Sequence, residues 1–218
     1  YELLSLDGYQ KTLNDAIWSI QNKQEMRLVE VGYDYTSIPQ TVAYPIDFLP
    51  LQILYHRGVI HLSGIVKGKN KILAIALNQL KKYSLTNNMF DNRDLLAALR
   101  REMDNRFGIT DNMNNEIYDI EIEFSELTGE FVKHHFWHHS QNFSKLSNGN
   151  YVMTLRCGIN RELVGWIFQW MSNARVIKPQ ILQSLVKEKP PEILDNYESD
   201  MPLSSNYSFM NTELLDKN

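Results

Sequence analysis

Cysteine is nearly absent from this chain: Cys157 is the only one in 218 residues. No internal disulfide can form, so a reducing compartment, the cytoplasm, is expected. Long apolar runs are missing too. The best stretch, Val164 to Met171, is far too short for a bilayer span, and mean hydropathy is -0.37, so no membrane partner is expected. There is no secretory leader pattern. The chain begins at Tyr1 without Met, which predicts an excised piece or a processed product with something upstream. Nucleophile elbow, Walker loop, GxGxxG, HExxH, zinc-finger spacing and paired-carboxylate motifs are all lacking. The expectation is therefore a non-enzymatic protein without cofactor or metal.

Acid is missing from one long window. Between Phe48 and Phe90 there is no Asp or Glu, yet Arg57, Lys67, Lys69, Lys71, Lys81 and Lys82 are present. The whole chain sums to -4, so this window at +6 leaves -10 for the rest. A basic module inside an acidic chain points to an anionic ligand. A net charge of -4 argues against a general duplex-DNA binder.

What is there falls into two halves of ordinary globular composition, 43% apolar and 22% charged. Leu13, Ile17 and Ile20 recur at helical spacing, which predicts a lead helix over Asp7 to Asn22. Strands are predicted at Met26 to Tyr35, Thr41 to Phe48, Leu51 to Tyr55, Val59 to Val66 and Ile72 to Tyr83. Pro50 is read as the break between the second and third, because proline cannot donate to a ladder. Thr36 to Pro39 reads as a turn. One helix and five short strands suit a small Sm/SH3-like β-barrel.

Ser84 to Asn92 reads as a linker. A helix follows to Phe107, capped by Asp91 or Asn92 and stopped by Gly108, with Leu95, Leu99 and Met103 on one face. Tyr118 to Phe124 alternates as a half-buried strand with an acidic outer face. Ser125 caps a helix to about His135 with Leu127, Phe131 and Val132 inward. Asn148-Gly149 predicts a type I′ turn between strands Trp137 to Phe143 and Asn150 to Arg156. Asn160 caps a helix to about Asn173, Arg175 to Ile177 is a strand, and Pro179 opens a last helix. Strand, helix, hairpin, helix, strand is a ferredoxin-like α/β order. The fold class expected is α+β. The domains are 1–23 as lead helix, 24–86 as barrel, 87–188 as α+β domain and 189–218 as tail.

Two stretches resemble a known family. Tyr44-Pro45, Arg57-Gly58-x-Ile60-His61-Leu62-Ser63-Gly64 and Ile75-Ala76-Leu77-Asn78-Gln79-Leu80 look like a WYL domain, the ligand-sensing module of bacterial transcriptional regulators. Tyr118 to Val186 resembles the WCX extension that follows it. The residues are His138 or His139 with Ser140-Gln141, Leu146-x-Asn148-Gly149, Glu162-Leu163-x-x-Trp166-Ile167, Ala174-Arg175-Val176 and Lys178-Pro179. The resemblance implies a homodimer that senses single-stranded nucleic acid or a nucleotide. It also implies contact with operator DNA through a winged helix-turn-helix domain not in this chain. Family ligand contacts, a Tyr and an Arg, fall on His61 and Gln79.

The candidate ligand site is therefore His61, Ser63, Gln79, Arg57, Lys81 and Lys82. Strand alternation puts His61 and Ser63 opposite Ile60 and Leu62, facing outward or toward a groove. Arg156 and Arg161, at a strand end and a helix start, form a secondary anion candidate, against the plainer reading of a surface turn. His134, His135, His138 and His139 have metal-ligand spacing only on one continuous helix, and a break near Phe136-Trp137 spoils it. The competing reading of the whole chain is an assembly scaffold whose pocket has degenerated.

Overall fold

The computed structural model describes residues 8–32, 43–69 and 71–198. Tyr33, Tyr35 and the turn at Thr36 to Pro39 lie outside them, as do residues 199–218 of the expected tail. The architecture is mixed α+β with two antiparallel sheets, of five and four strands. It divides into two compact units, Tyr1–Met103 with Gly108–Asp111 and Asp104–Phe107 with Asn112–Asn218.

The first unit opens with α1 (Gln10–Gln21), followed by β1 (Gln24–Val31), β2 (Ile46–His56), β3 (Val59–Val66) and β4 (Lys71–Ala76). One 3₁₀ turn, Leu77–Gln79, leads to β5 (Leu80–Met89). The sheet order is β4-β3-β2-β1-β5, so consecutive strands β4 and β5 sit on opposite edges. In a flat sheet those edges would lie roughly 19 Å apart. A 3₁₀ turn of this length rises only about 6 Å. The sheet must curl until its edges approach. Its concave side packs Met26, Leu28, Phe48, Leu62, Leu73 and Ile75 around Ala16 of α1. The other face of β2, β3 and β4 is covered as well. There Leu51, Ile65 and Ile72 pack with Leu99 of α2 (Arg93–Asp104).

Five strands form, but not the five expected. Pro50 does not break a strand, because the β2–β3 register slips between Pro50 and Gln52 and a bulge takes up the missing donor. Gly64 lies opposite Pro50, where a Cβ would meet the Leu49 carbonyl and the Phe48 ring at 2.7 Å. Ile72 to Tyr83 is not one strand but two, hinged at the 3₁₀ turn. Of the linker expected at Ser84 to Asn92, residues 84–89 are instead the end of β5. The type I′ signature belongs to Arg57-Gly58, with φ of 47° and 79° between paired His56 and Val59.

The second unit runs β6 (Tyr118–Phe124), α3 (Glu126–Lys133), β7 (Asn142–Lys145), β8 (Tyr151–Cys157), α4 (Arg161–Phe168), β9 (Ala174–Lys178) and α5 (Gln180–Glu198). Its sheet order is β7-β8-β6-β9. Asn148-Gly149 does not make the expected type I′ turn, since only Gly149 has positive φ, at 89°. A wider loop closes through Leu146 N–H to Asn150 O at 2.8 Å. Asn160 caps α4 as expected, accepting from Leu163 N–H at 3.0 Å. Helix α3 is rolled from its expected pose. Gly129 and Val132 face inward, while Leu127 and Phe131 are 85% and 52% exposed. The cause is Tyr151, whose Cβ and ring would lie 2.6 and 2.7 Å from any Cβ at Gly129. Helix α5 continues through Pro190 and Pro191 to Glu198, past the expected start of the tail. Among the described residues no helix is long and apolar enough to cross a membrane.

Two outcomes follow from this packing. Gly64→Ala forces backbone or ring movement and should cost roughly 1–3 kcal/mol in urea unfolding; an unchanged midpoint refutes the close approach. Buried Glu123 accepts from Asn150 at 2.8 Å and pairs with Arg175. These bonds, Asn150 first, hold its carboxyl below the usual 4.5. Its stabilisation is present above about pH 4.5 and fades as pH falls through the lower folded value. Glu123→Gln should therefore lower the urea midpoint at pH 7, and the gap to the parent should narrow in acid.

Candidate ligand-binding site

The basic window does not form one patch. Lys67 pairs with Glu25 at 2.5 Å and Lys71 with Asp111 at 2.8 Å. Both carboxylates come from outside the window and are nearly buried, at 3% and 4% exposure. Arg57 sits at the exposed β2–β3 turn and Lys69 at the β3–β4 turn. Lys81 and Lys82 line a cleft.

That cleft is an open cavity of about 770 Å³ between α1 and the start of β5. Tyr9, Lys11, Thr12 and Asp15 form one wall, and Asn78, Lys81, Lys82 and Tyr83 the other. Lys81 Nζ donates to the Asn78 carbonyl at 2.7 Å. Lys11 and Lys82 hold no ion pair among the described residues. Tyr83 Oη donates to Asp15 Oδ2 at 2.8 Å and ties the two walls together. Burial pushes the phenol pKa up, and the Asp15 charge adds to it. A third ammonium, Lys11, thus joins the two read from the sequence. Lys11 and Asp15 are four apart and share a helix face, but nothing in the sequence says that this face looks onto β5.

His61 and Ser63 are placed differently from expectation. Both are inside, at 1% and 0% exposure. They do lie opposite Ile60 and Leu62, but that outer face of the sheet is also covered. His61 Nδ1 is 3.2 Å from the Val59 carbonyl, and the His61 and His56 rings are 6.5 Å apart. Ser63 Oγ has no hydrogen-bond partner among the described residues. Gln79 is half-buried in the 3₁₀ turn, its carbonyl accepting from Gly32 N–H at 2.7 Å.

Arg156 and Arg161 are both exposed. Arg156 lies 3.9 Å from Asp119. Between the two arginines, Asn160 fills the head of α4 with its own carboxamide and also donates to Phe107 O at 3.0 Å. Gly158 N–H donates to Asn105 O at 2.8 Å. The helix terminus is thus occupied from within.

The histidines do not share a helix. Helix α3 ends at Lys133 and His134 is its cap residue. His135 stacks on Phe131, with ring centroids 4.3 Å apart. His138 is buried with both ring nitrogens engaged, one by Ser140 Oγ at 2.8 Å and one by the Asp104 carbonyl at 3.0 Å. Burial and the neighbouring His139 push its pKa down. No metal-holding group of side chains occurs among the described residues.

The second unit carries a mark of its origin. Residues 116–189 match the WCX domain family. The likeness read from Tyr118 to Val186 is borne out by that match. Thirteen solved chains match this one in structure. One is a CRISPR Cas-related protein, 12% identical, with TM-score 0.53 over 87% of this chain and 52% of that one. Another is proteasome accessory factor B/C of Arthrobacter aurescens, 12% identical, with TM-score 0.37 over 89% of this chain and 28% of that one. At this identity the first likeness is one of fold. The chain spans about half and about a quarter of these two proteins. No curated protein matches it.

Within the residues that match this family, Cys157 is fully buried and burial pushes its thiol up to about 12. It should not react with Ellman's reagent at pH 8 in the native protein, and one thiol should titrate in guanidinium. Rapid native labelling would show that this strand end opens.

Proposed function

We propose that this chain is the effector-sensing and dimerising region of a WYL-type bacterial transcriptional regulator, cytoplasmic and non-enzymatic. The effector is anionic, a nucleotide or short single-stranded nucleic acid, and it lands in the cleft between α1 and β5. The observation that carries this reading is the meeting of Lys11, Lys81 and Lys82 in one cavity. Ammonium groups attract phosphate without demanding a fixed geometry. Tyr9 and Tyr83 add aromatic surface beside them. The WCX match in the second unit supports the family context.

The five-stranded sheet is read as an Sm/SH3-like barrel. A helix, a curled sheet in order 4-3-2-1-5 and a one-turn link between its edge strands support that assignment. The second unit is read as ferredoxin-like, since β7-β8-β6-β9 is the order that a β-α-β-β-α-β chain gives. Effector binding would bias the arrangement of two copies and so the spacing of operator-reading domains on a longer chain.

A second reading is an assembly scaffold with a degenerate pocket. The burial of His61 and Ser63 favours it, as does the exposed apolar set Leu127, Phe131, Phe136 and Met171. The two separate in fluorescence polarisation with short single-stranded ribo- and deoxyribo-oligonucleotides at two salt concentrations. Binding should weaken steeply with salt and fall at least tenfold in Lys81→Glu with Lys82→Glu. Absence of binding at low salt, or indifference to the double charge reversal, leaves the scaffold.

A further inference from the structure

The cleft holds one group that phosphate binding does not call for. Asp15 puts a carboxylate among Lys11, Lys81 and Lys82, where it opposes the attraction of an anion. Its position is set rather than accidental. Tyr83 Oη donates to Oδ2 at 2.8 Å, which fixes the rotamer and leaves Oδ1 without a hydrogen-bond or ion-pair partner among the described residues. An ionised carboxylate only accepts. What it can take from a ligand is an O–H or N–H donor.

Spacing narrows the donor. Lys11 and Asp15 are four residues apart on α1, so their Cβ atoms are about 6 Å apart on one face. A phosphate held by Lys11 places the group next to it over Asp15. Beside a 3′-phosphate of RNA that neighbour is the ribose 2′-hydroxyl. A base amine lies a whole sugar farther away, and a deoxyribose strand has only hydrogen at the 2′ carbon. A DNA strand, whose 3′-oxygen is esterified and whose 2′ carbon bears no hydroxyl, would leave the carboxylate facing phosphate with no sugar donor to offset the repulsion.

Resting on the anion-binding reading above, we propose that Asp15, oriented by Tyr83, is the specificity-determining residue of this cleft and selects a ribose-bearing phosphorylated ligand over its deoxyribose counterpart. The ligand class is a ribonucleotide, free or within a short RNA strand. Tyr83 is a positioning residue: it touches Asp15 and sets where the free oxygen points.

The test uses the 218-residue chain with labelled adenosine and deoxyadenosine hexamers at low salt, and AMP and dAMP as competitors. The ribo-hexamer should bind roughly tenfold or more tightly than the deoxy-hexamer, as a charged hydrogen bond implies. Asp15→Asn keeps a carbonyl for the Tyr83 hydroxyl but loses the charge, and should bring the two hexamers within about twofold, chiefly by tightening DNA. Tyr83→Phe should narrow the gap while leaving the salt dependence of binding unchanged. Competition by AMP over dAMP marks a free nucleotide as the ligand, and competition by neither marks a strand; both support ribose selection while the hexamers differ. Equal affinity for the two hexamers overturns the inference and leaves the anion cleft standing. Discrimination that survives in Asp15→Asn, with thermal melts showing it folded, also overturns it. No binding of either hexamer or nucleotide overturns this inference and the anion cleft together.

Discussion

Three residues, Leu77–Gln79, join strands that belong to opposite edges of a five-stranded sheet. That short tether is the constraint from which the first unit follows. It rules out a flat sheet, and the resulting curl creates an inside for Phe48, Leu62 and Ile75. It also places the start of β5 beside α1, and the cleft is the space between them. Lys81 and Lys82 stand at the cleft because they follow the tether directly. A longer loop there would let β5 start elsewhere and would remove the geometric reason for the cavity.

Charge illustrates the gap between sequence distance and spatial distance. A window of 43 residues without acid looks like a cationic patch. Folding imports Glu25 and Asp111 and neutralises two of its lysines at nearly buried carboxylates. The acid-free window is real, but an ion pair needs only proximity of a few ångströms, and β1 and the segment after α2 supply it. What survives as a shared electrostatic feature is smaller than the window, and it is completed by Lys11, which lies outside it.

The second unit shows the same limit on packing. Its strand β6 and the cap at Asn160 are where local pattern puts them, since alternation and an N-cap are decided within a few residues. Helix α3 is not posed as its apolar residues suggest. Leu127 and Phe131 satisfy a helical stripe on paper, yet the tight seat of Gly129 on Tyr151 fixes the roll and leaves them outside. A partner 22 residues downstream overrides the stripe. The loop at Asn148-Gly149 likewise follows its strand register, while the type I′ geometry goes to Arg57-Gly58, a pair that sequence preference does not favour.

The sequence by itself determined the two-part α+β layout, the limits of β3 and β6, the cap of α4 and the kinship of residues 116–189, because periodicity, capping and motif spacing are local. Tertiary structure alone decided that Pro50 sits in a bulge, that His61 and Ser63 are enclosed, and that Lys11, Asp15 and Tyr83 meet Lys81 and Lys82. Those outcomes depend on which faces are covered from both sides and on how far a three-residue link lets a sheet open. Neither quantity is written in any one stretch of the chain.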